Sequence, residues 1–377
     1  MRCEMKKAGR IILSLIIVIS ICDLLQAQKV KTIDGVKTIL NGKKPKPPKA
    51  TLSKLRLEEE LTFGEGDDPE KSFSEVSIFT VTDNGYIFAL DFKDRKVKVF
   101  DDSGTYVQSI GKKGQGPGEL NMPAGMLISQ ENELIIEDSL NRRLAIFTLE
   151  GEFIKNISLA DRLGLVNLMQ DSQGNFMGRE IGLEDEQMYF EIKKFDTELK
   201  PLFILDKIKF AIPTPGTKMN IMDLISIYQF DMEGNIFYGR NQEYEIKVFA
   251  KEGNHIFSIR KDYKPVIITQ EDKDEMLDRI PNVTPGVNIK EMFEFPKYYP
   301  PYQSFTLDEE GRIFVRTWEK GGIKGEYVYD IFNPEGIFIA QYITKADISV
   351  WKSSKMYAIE ENEDGFRIIK RFGVYWE

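Results

Sequence analysis

The chain has 377 residues, 42% of them hydrophobic and 29% charged, with 60 acidic against 51 basic residues and a formal net charge of −9. It holds one histidine and two cysteines. That inventory excludes a multi-histidine zinc site, and the acidic balance argues against nucleic-acid binding, which needs a basic face to meet phosphates.

Residues 1–27 read as a secretory signal peptide. Arg2, Lys6, Lys7 and Arg10 make a basic start, and residues 11–22 form an apolar run too short to cross a bilayer comfortably. Leu25-Gln26-Ala27 then ends on a small residue suited to cleavage. The expected destination is periplasmic or extracellular, with no stable membrane span after cleavage. Two alternatives are an uncleaved membrane anchor and lipidation at Cys22, the latter disfavoured because Ile21 stands where a small residue is wanted. Both cysteines, Cys3 and Cys22, lie in this leader. The rest therefore offers no thiol nucleophile and no thiolate metal site, and an exported domain this large does not need disulfides.

Residues 28–50 carry seven Lys against one Asp. Val30 to Leu40 reads as a hairpin turning at Asp34-Gly35, and residues 43–49 as a stiff, solvated Lys/Pro connector. A patch for anionic lipid or surface polymers is the functional reading of the same lysines. Residues 51–377 hold 40 basic and 57 acidic residues, a net charge of −17.

From residue 51 onward the pattern is a repeat of 40 to 50 residues with period-two alternation, as in Lys96-Val97-Lys98-Val99 and Glu245-Ile246-Lys247-Val248. Turn residues recur at Gly85, Asn132, Gly174, Gly234 and Gly311. Second turns follow at Gly104, Gly151, Glu198-Leu199, Gly253 and Gly336. Asp or Asn near Gly is what a tight hairpin turn requires. The spacing predicts blades at about 75–110, 124–157, 165–205, 224–260 and 303–342, with the tail 346–377 supplying three strands. The segment 55–63 is placed to be the missing strand of the last blade, since a propeller hides its edges by radial closure. The fold class is therefore all-β, a six-bladed propeller of four-stranded antiparallel blades closed by an N-terminal strand.

Asp83-Asn-Gly-Tyr-Ile-Phe-Ala-Leu-Asp91, Lys98-Val-Phe-Asp-Asp-Ser-Gly104, the linker 111–120 and Glu137-Asp-Ser-Leu-Asn-Arg-Arg143 together resemble the NHL repeat and the wider group of bacterial six-bladed β-propeller proteins. The resemblance implies that an Asp and an Arg brace the inter-strand loop. Blade 1 departs from it, reading Asp91-Phe-Lys-Asp-Arg95 without the Asn. It also implies a fold that binds other molecules.

Chemistry is sparsely marked. Residues 111–118 are rich in glycine but lack the Gly-Lys-Ser/Thr ending and the helix of a phosphate-binding loop, so they read as the crossover from blade 1 to blade 2. His255 has no nucleophile elbow to accompany it and is expected on an outer strand. Six-bladed lactonase-like propellers hold a hard cation with oxygen ligands where inner strands begin. The corresponding residues here are Glu75, Asn121, Asn167, Asp223, Gln303 and Asp347.

The longest departure from the repeat, about 261–301, reads as a short helix capped by Thr269-Gln-Glu-Asp272, then an aromatic, proline-rich run. Phe295, Tyr298, Tyr299 and Tyr302 are its candidate ligand contacts for a peptide or a glycan. Residues 212–217 form a companion insert. The sequence thus points to a monomeric binding module for a protein, peptide or glycan at one propeller face, without catalytic activity or cofactor. The alternative is a calcium-dependent lactonase or esterase.

Overall fold

The structure is a computed structural model that describes residues 29–66, 68–211, 217–240, 242–278 and 289–377. The leader, and all but the last residue of the 212–217 insert, lie outside the described residues. The described chain opens with a hairpin of β1 (Lys29–Ile33) and β2 (Val36–Asn41), followed by β3 (Leu55–Phe63). Blade 1 is β4 (Val76–Val81), β5 (Ile87–Asp91), β6 (Lys96–Phe100) and β7 (Tyr106–Ile110). Blade 2 is β8 (Pro123–Ile128), β9 (Glu133–Asp138), β10 (Arg143–Thr148) and β11 (Phe153–Ser158). Blade 3 is β12 (Val166–Gln170), β13 (Phe176–Glu184), β14 (Gln187–Phe195) and β15 (Pro201–Phe210).

A short β16 (Met219–Asn220) leads into blade 4, which is β17 (Ile227–Phe230), β18 (Ile236–Gly239), β19 (Glu245–Phe249) and β20 (His255–Lys261). After helix α1 (Gln270–Asp278), a two-residue β21 (Phe293–Glu294) pairs in parallel with β16. Blade 5 is β22 (Tyr302–Leu307), β23 (Ile313–Lys320), β24 (Tyr327–Phe332) and β25 (Phe338–Thr344). The last blade contains β26 (Asp347–Lys352), β27 (Lys355–Glu361) and β28 (Arg367–Trp376). Strand β3 pairs antiparallel with β28, from Leu55 opposite Trp376 to Phe63 opposite Ile369, so the two ends of the chain close the ring as the sequence predicts.

Position within a blade explains each strand's residue pattern. A second strand is covered by a neighbouring blade on each side, which is why β5 reads as an unbroken Ile-Phe-Ala-Leu run and is buried throughout. The outer strand β11 is far more open, with four of its six residues exposed. His255 begins β20, stacked on Phe249 at 4.7 Å, and partial burial holds its pKa below the usual histidine value.

The N-terminal hairpin does not stand apart from the propeller. Strand β2 runs parallel to β20, Lys37 opposite Phe257 and Asn41 opposite Lys261, and extends blade 4 to six strands. Asn41, buried, fastens it: its Nδ2 donates to Gly336 O at 2.9 Å and its Oδ1 accepts from Phe338 N at 2.9 Å. The chain then crosses the rim of blade 5, where Lys46 N donates to Phe338 O. Between this strap and the blades lies a groove of about 1310 Å³ edged by Lys44, Lys46, Lys49 and Arg260.

Candidate functional site

The propeller has two unlike ends. At one, the turn face, strand 1 turns into strand 2 and strand 3 into strand 4. Ten such turns in blades 1–5 share one form, in which the fourth residue has positive φ: Gly85, Gly104, Asn132, Gly151, Gly174, Leu199, Gly234, Gly253, Gly311 and Gly336. In most of them the first side chain accepts from the backbone two and four residues on, as Asp231 does from Glu233 N at 2.9 Å and Asn235 N at 2.8 Å.

At the other end, the crossover face, inner strands begin and blades are joined. The register slips near the start of the inner strand in five blades, between Val76 and Ile78, Pro123 and Gly125, Val166 and Met169, Tyr302 and Ser304, and Ile348 and Val350. Such bulges re-aim side chains at strand ends. In blades 1 and 2 the crossovers are seated by the last residue of strand 2. Asp91 accepts from Ser74 N at 2.8 Å, and Asp138 accepts from Asn121 N and Met122 N at 3.0 Å. Arg143 completes the brace in blade 2, binding Asp138 and the carbonyls of Gln115, Gly116 and Glu119. In blade 1, the fully buried Lys98 bridges Asp91 and Asp94, at 3.1 Å each.

The insert between blades 4 and 5 forms a small core of its own. Helix α1 begins with a reciprocal cap, Thr269 N donating to Asp272 Oδ2 at 2.9 Å and Asp272 N to Thr269 Oγ1 at 3.2 Å. Met222, Ile268 and Tyr299 are buried together, with Phe295 and Trp318 against them. Tyr299 stacks on Trp318 at 3.9 Å. Phe295, Tyr298, Tyr299 and Tyr302, the expected ligand contacts, differ in their surroundings. Tyr302 is fully buried between blades 4 and 5, edge-on to Tyr244 at 5.3 Å, with its hydroxyl donating to Glu245 O at 2.9 Å. Of the four aromatics, Tyr298 is exposed; the others are used to give the insert and the blade junction a packed interior.

The six oxygen-bearing candidates do sit where inner strands begin, but three are engaged elsewhere. Asn121 Oδ1 accepts from Arg95 at 3.1 Å, Gln303 Nε2 donates to Thr317 O at 2.7 Å, and Asp347 accepts from Arg316 at 2.6 Å. Glu75, Asn167 and Asp223 are exposed. Among the described residues no three His, Cys, Asp or Glu gather into a metal-binding group.

Sequence reasoning missed a polar layer one step inside this face. Glu137, 4% exposed, turns toward blade 3 and accepts from Leu168 N at 2.5 Å and Asn167 N at 3.1 Å, two successive amides presented by Asn167 at φ +58°. Burial outweighs those bonds and pushes the Glu137 carboxyl up to about 7. Gly125 opposite it is required by space, because a Cβ there would stand 2.7 Å from the Glu137 carboxyl carbon. The Tyr228 hydroxyl donates to Asn167 O at 2.5 Å. The signal was present: Glu137 lies at a core-facing position of Leu134-Ile-Ile-Glu137, where an unpaired charge is not expected.

The two faces also differ in what they leave wet. Among the described residues, the loops of the crossover face expose Met122, Leu140, Leu163, Ile267, Tyr298, Ile323 and Phe366, and the end of β13 exposes Leu183, each more than 40% accessible. The loops of the turn face expose two large apolar side chains, Met232 and Leu52, the latter where the chain enters β3. No helix among the described residues is long and apolar enough to cross a membrane.

Comparison with known proteins agrees with this architecture. A family profile described as "6-bladed beta-propeller" matches residues 70–261, just over half of the chain. A Bacteroides fragilis structure named as an exported protein is 14% identical, with a TM-score of 0.56, covering 90% of this chain and 99% of its own. A member of the DUF4221 family from Bacteroides vulgatus is 13% identical, with a TM-score of 0.51, covering 87% and 100%. No curated protein matches the chain.

Proposed function

The chain belongs to the DUF5128 family of six-bladed β-propellers, and from that premise we propose that it is an exported binding module that docks a protein partner on its crossover face. The observation that carries the reading is one-sidedness: seven large apolar side chains are exposed on the loops of that face, with Leu183 at the end of β13 beside them, and two on the opposite loops. Exposed apolar groups gathered on one side mark an interaction surface, whereas scattered ones need no explanation. They are mounted on loops held by a rigid scaffold, the usual location of binding residues. The fold itself is neutral, since propellers host many functions. The basic start, apolar run and Ala27 of the leader support export, and so does the name given to the Bacteroides fragilis structure.

The test is a paired capture from cell-envelope extract with the immobilised chain. One variant combines Leu140→Ser, Leu183→Ser and Phe366→Ser; the other is Met232→Ser. The species held by the wild type is retained by the Met232 variant and falls at least tenfold on the triple variant. Capture of nothing by the wild type, or loss on the Met232 variant alone, contradicts the reading.

A further inference from the structure

The facing sides of blades 3 and 4 carry three buried side-chain donor atoms without a hydrogen bond, Arg179 Nε, Ser226 Oγ and Arg240 Nε. On blade 3, Arg179 shares its side of β13 with Met177, which packs against Tyr228, Ile236 and Tyr238 of blade 4. Its guanidinium lies 4.7 Å over the Phe190 ring, and its Nε is shut off from solvent without a partner. No hydrogen bond or ion pair joins Arg179 to any described residue. On blade 4, Ile227 pairs with Gly239, so Ser226 and Arg240 face each other just beyond the end of the ladder. Both turn to the same side as Tyr228 and Tyr238, toward blade 3. Ser226 Oγ and Arg240 Nε are likewise buried and unbonded.

One carboxylate, Asp206, serves Arg240, and none is paired with Arg179. Asp206 lies 3.6 Å from Arg240 Nε, and its Oδ2 already accepts from the Tyr238 hydroxyl at 2.5 Å. Arginine cannot shed its proton at any physiological pH, and burying a charge without a partner is costly. Arg179 therefore keeps an unpaired positive charge inside a propeller body that is strongly acidic. Arg316, whose Nε is also unbonded, differs because its Nη1 is paired with Asp347 at 2.6 Å.

We propose that this crevice binds an oxyanion, the carboxylate or phosphate group of a small ligand, held by Arg179 and Arg240 with the Ser226 hydroxyl as a third donor. An oxyanion supplies acceptors to all three groups at once, and guanidinium is the side chain whose geometry fits carboxylate and phosphate best. The site stands on different residues from the docking loops, so either reading survives failure of the other.

The experiment is a thermal-shift titration of the whole chain with sodium phosphate and with succinate, against sodium chloride at matched ionic strength. A saturable rise in Tm with at least one of the two is expected. Phosphate alone would assign a phosphoryl ligand, and succinate alone a carboxylate. Arg179→Met keeps the contact with Phe190 and removes the charge, so its Tm without ligand stays at or above that of the wild type and the rise is lost. Arg240→Met loses the rise as well, whereas Arg179→Lys weakens it at least tenfold in concentration. Absence of a saturable rise with both anions, or a full rise retained in both Met variants, overturns the proposal.

Discussion

On the turn face, blades 1–5 repeat one five-residue turn with its positive φ in the same place and, in most copies, the same side-chain acceptor. On the crossover face the connections run from two residues between blades 5 and 6, 345–346, to forty between blades 4 and 5, 262–301. The turns must fit a ring whose closure leaves no edge, and a wrong turn in any blade disturbs its neighbours. The crossovers leave the packed ring before they differ, so their variation costs the fold little. The same division governs polarity. Turn-face oxygens are satisfied within their own turn, whereas the crossover face holds apolar tips, a buried Glu137 and the unbonded Arg179, Ser226 and Arg240.

That contrast breaks most visibly at Asp171. It accepts from Gln173 N and Asn175 N at 2.9 Å, like other turn residues, but it also holds the buried Lys194 at 2.5 Å. Asp171→Ala removes the turn acceptor and leaves Lys194 buried without its carboxylate, a loss of about 3–5 kcal/mol, read from urea unfolding. Burial acts to raise the Asp171 pKa, but the bonds from Lys194, Asn175 and Gln173 outweigh it and hold the pKa below the ordinary value. Because the native pKa lies below the unfolded one, the contribution is complete above the ordinary aspartate range. It fades as pH falls through the native value, so the variant's deficit shrinks in acid.

The smallest effect sharpens the comparison from the other side. Phe366→Ser, at the end of the loop between β27 and β28, changes unfolding free energy by no more than about 0.5 kcal/mol. A larger loss would mean that the exposed apolar tips serve the fold and would remove them as docking residues.

Legibility in the sequence follows the same division. Asp-x-x-Gly turns, the even turn spacing and the alternation of Lys96-Val-Lys-Val exposed the blades, because local chemistry dictates them. Leu199, at φ +62° where other turns have Gly, is the one turn of the ten whose glycine or asparagine signal is missing. The closing strand β3 was found because a propeller lacks one strand without it, whereas the docking of β2 on β20 depends on a partner more than 200 residues away. The burial of Tyr302 and Tyr299 was not legible in the aromatic run: it has no periodicity, so nothing local separates a side chain that fills a junction from one that meets a ligand. Arg179 was readable in part, since Met177, Arg179 and Ile181 share one side of β13 and the arginine interrupts an inward apolar row. Its convergence with Ser226 and Arg240 was not, because it arises between blades.

The most direct test of the division between faces is amide hydrogen exchange of the chain, alone and saturated with the partner captured on it. Slowed exchange is predicted in the crossover-face loops at 139–142, 183–186, 321–326 and 362–366, with the ten turns of the opposite face unchanged. Protection centred on those turns, with the crossover loops exchanging as in the free chain, would contradict the account.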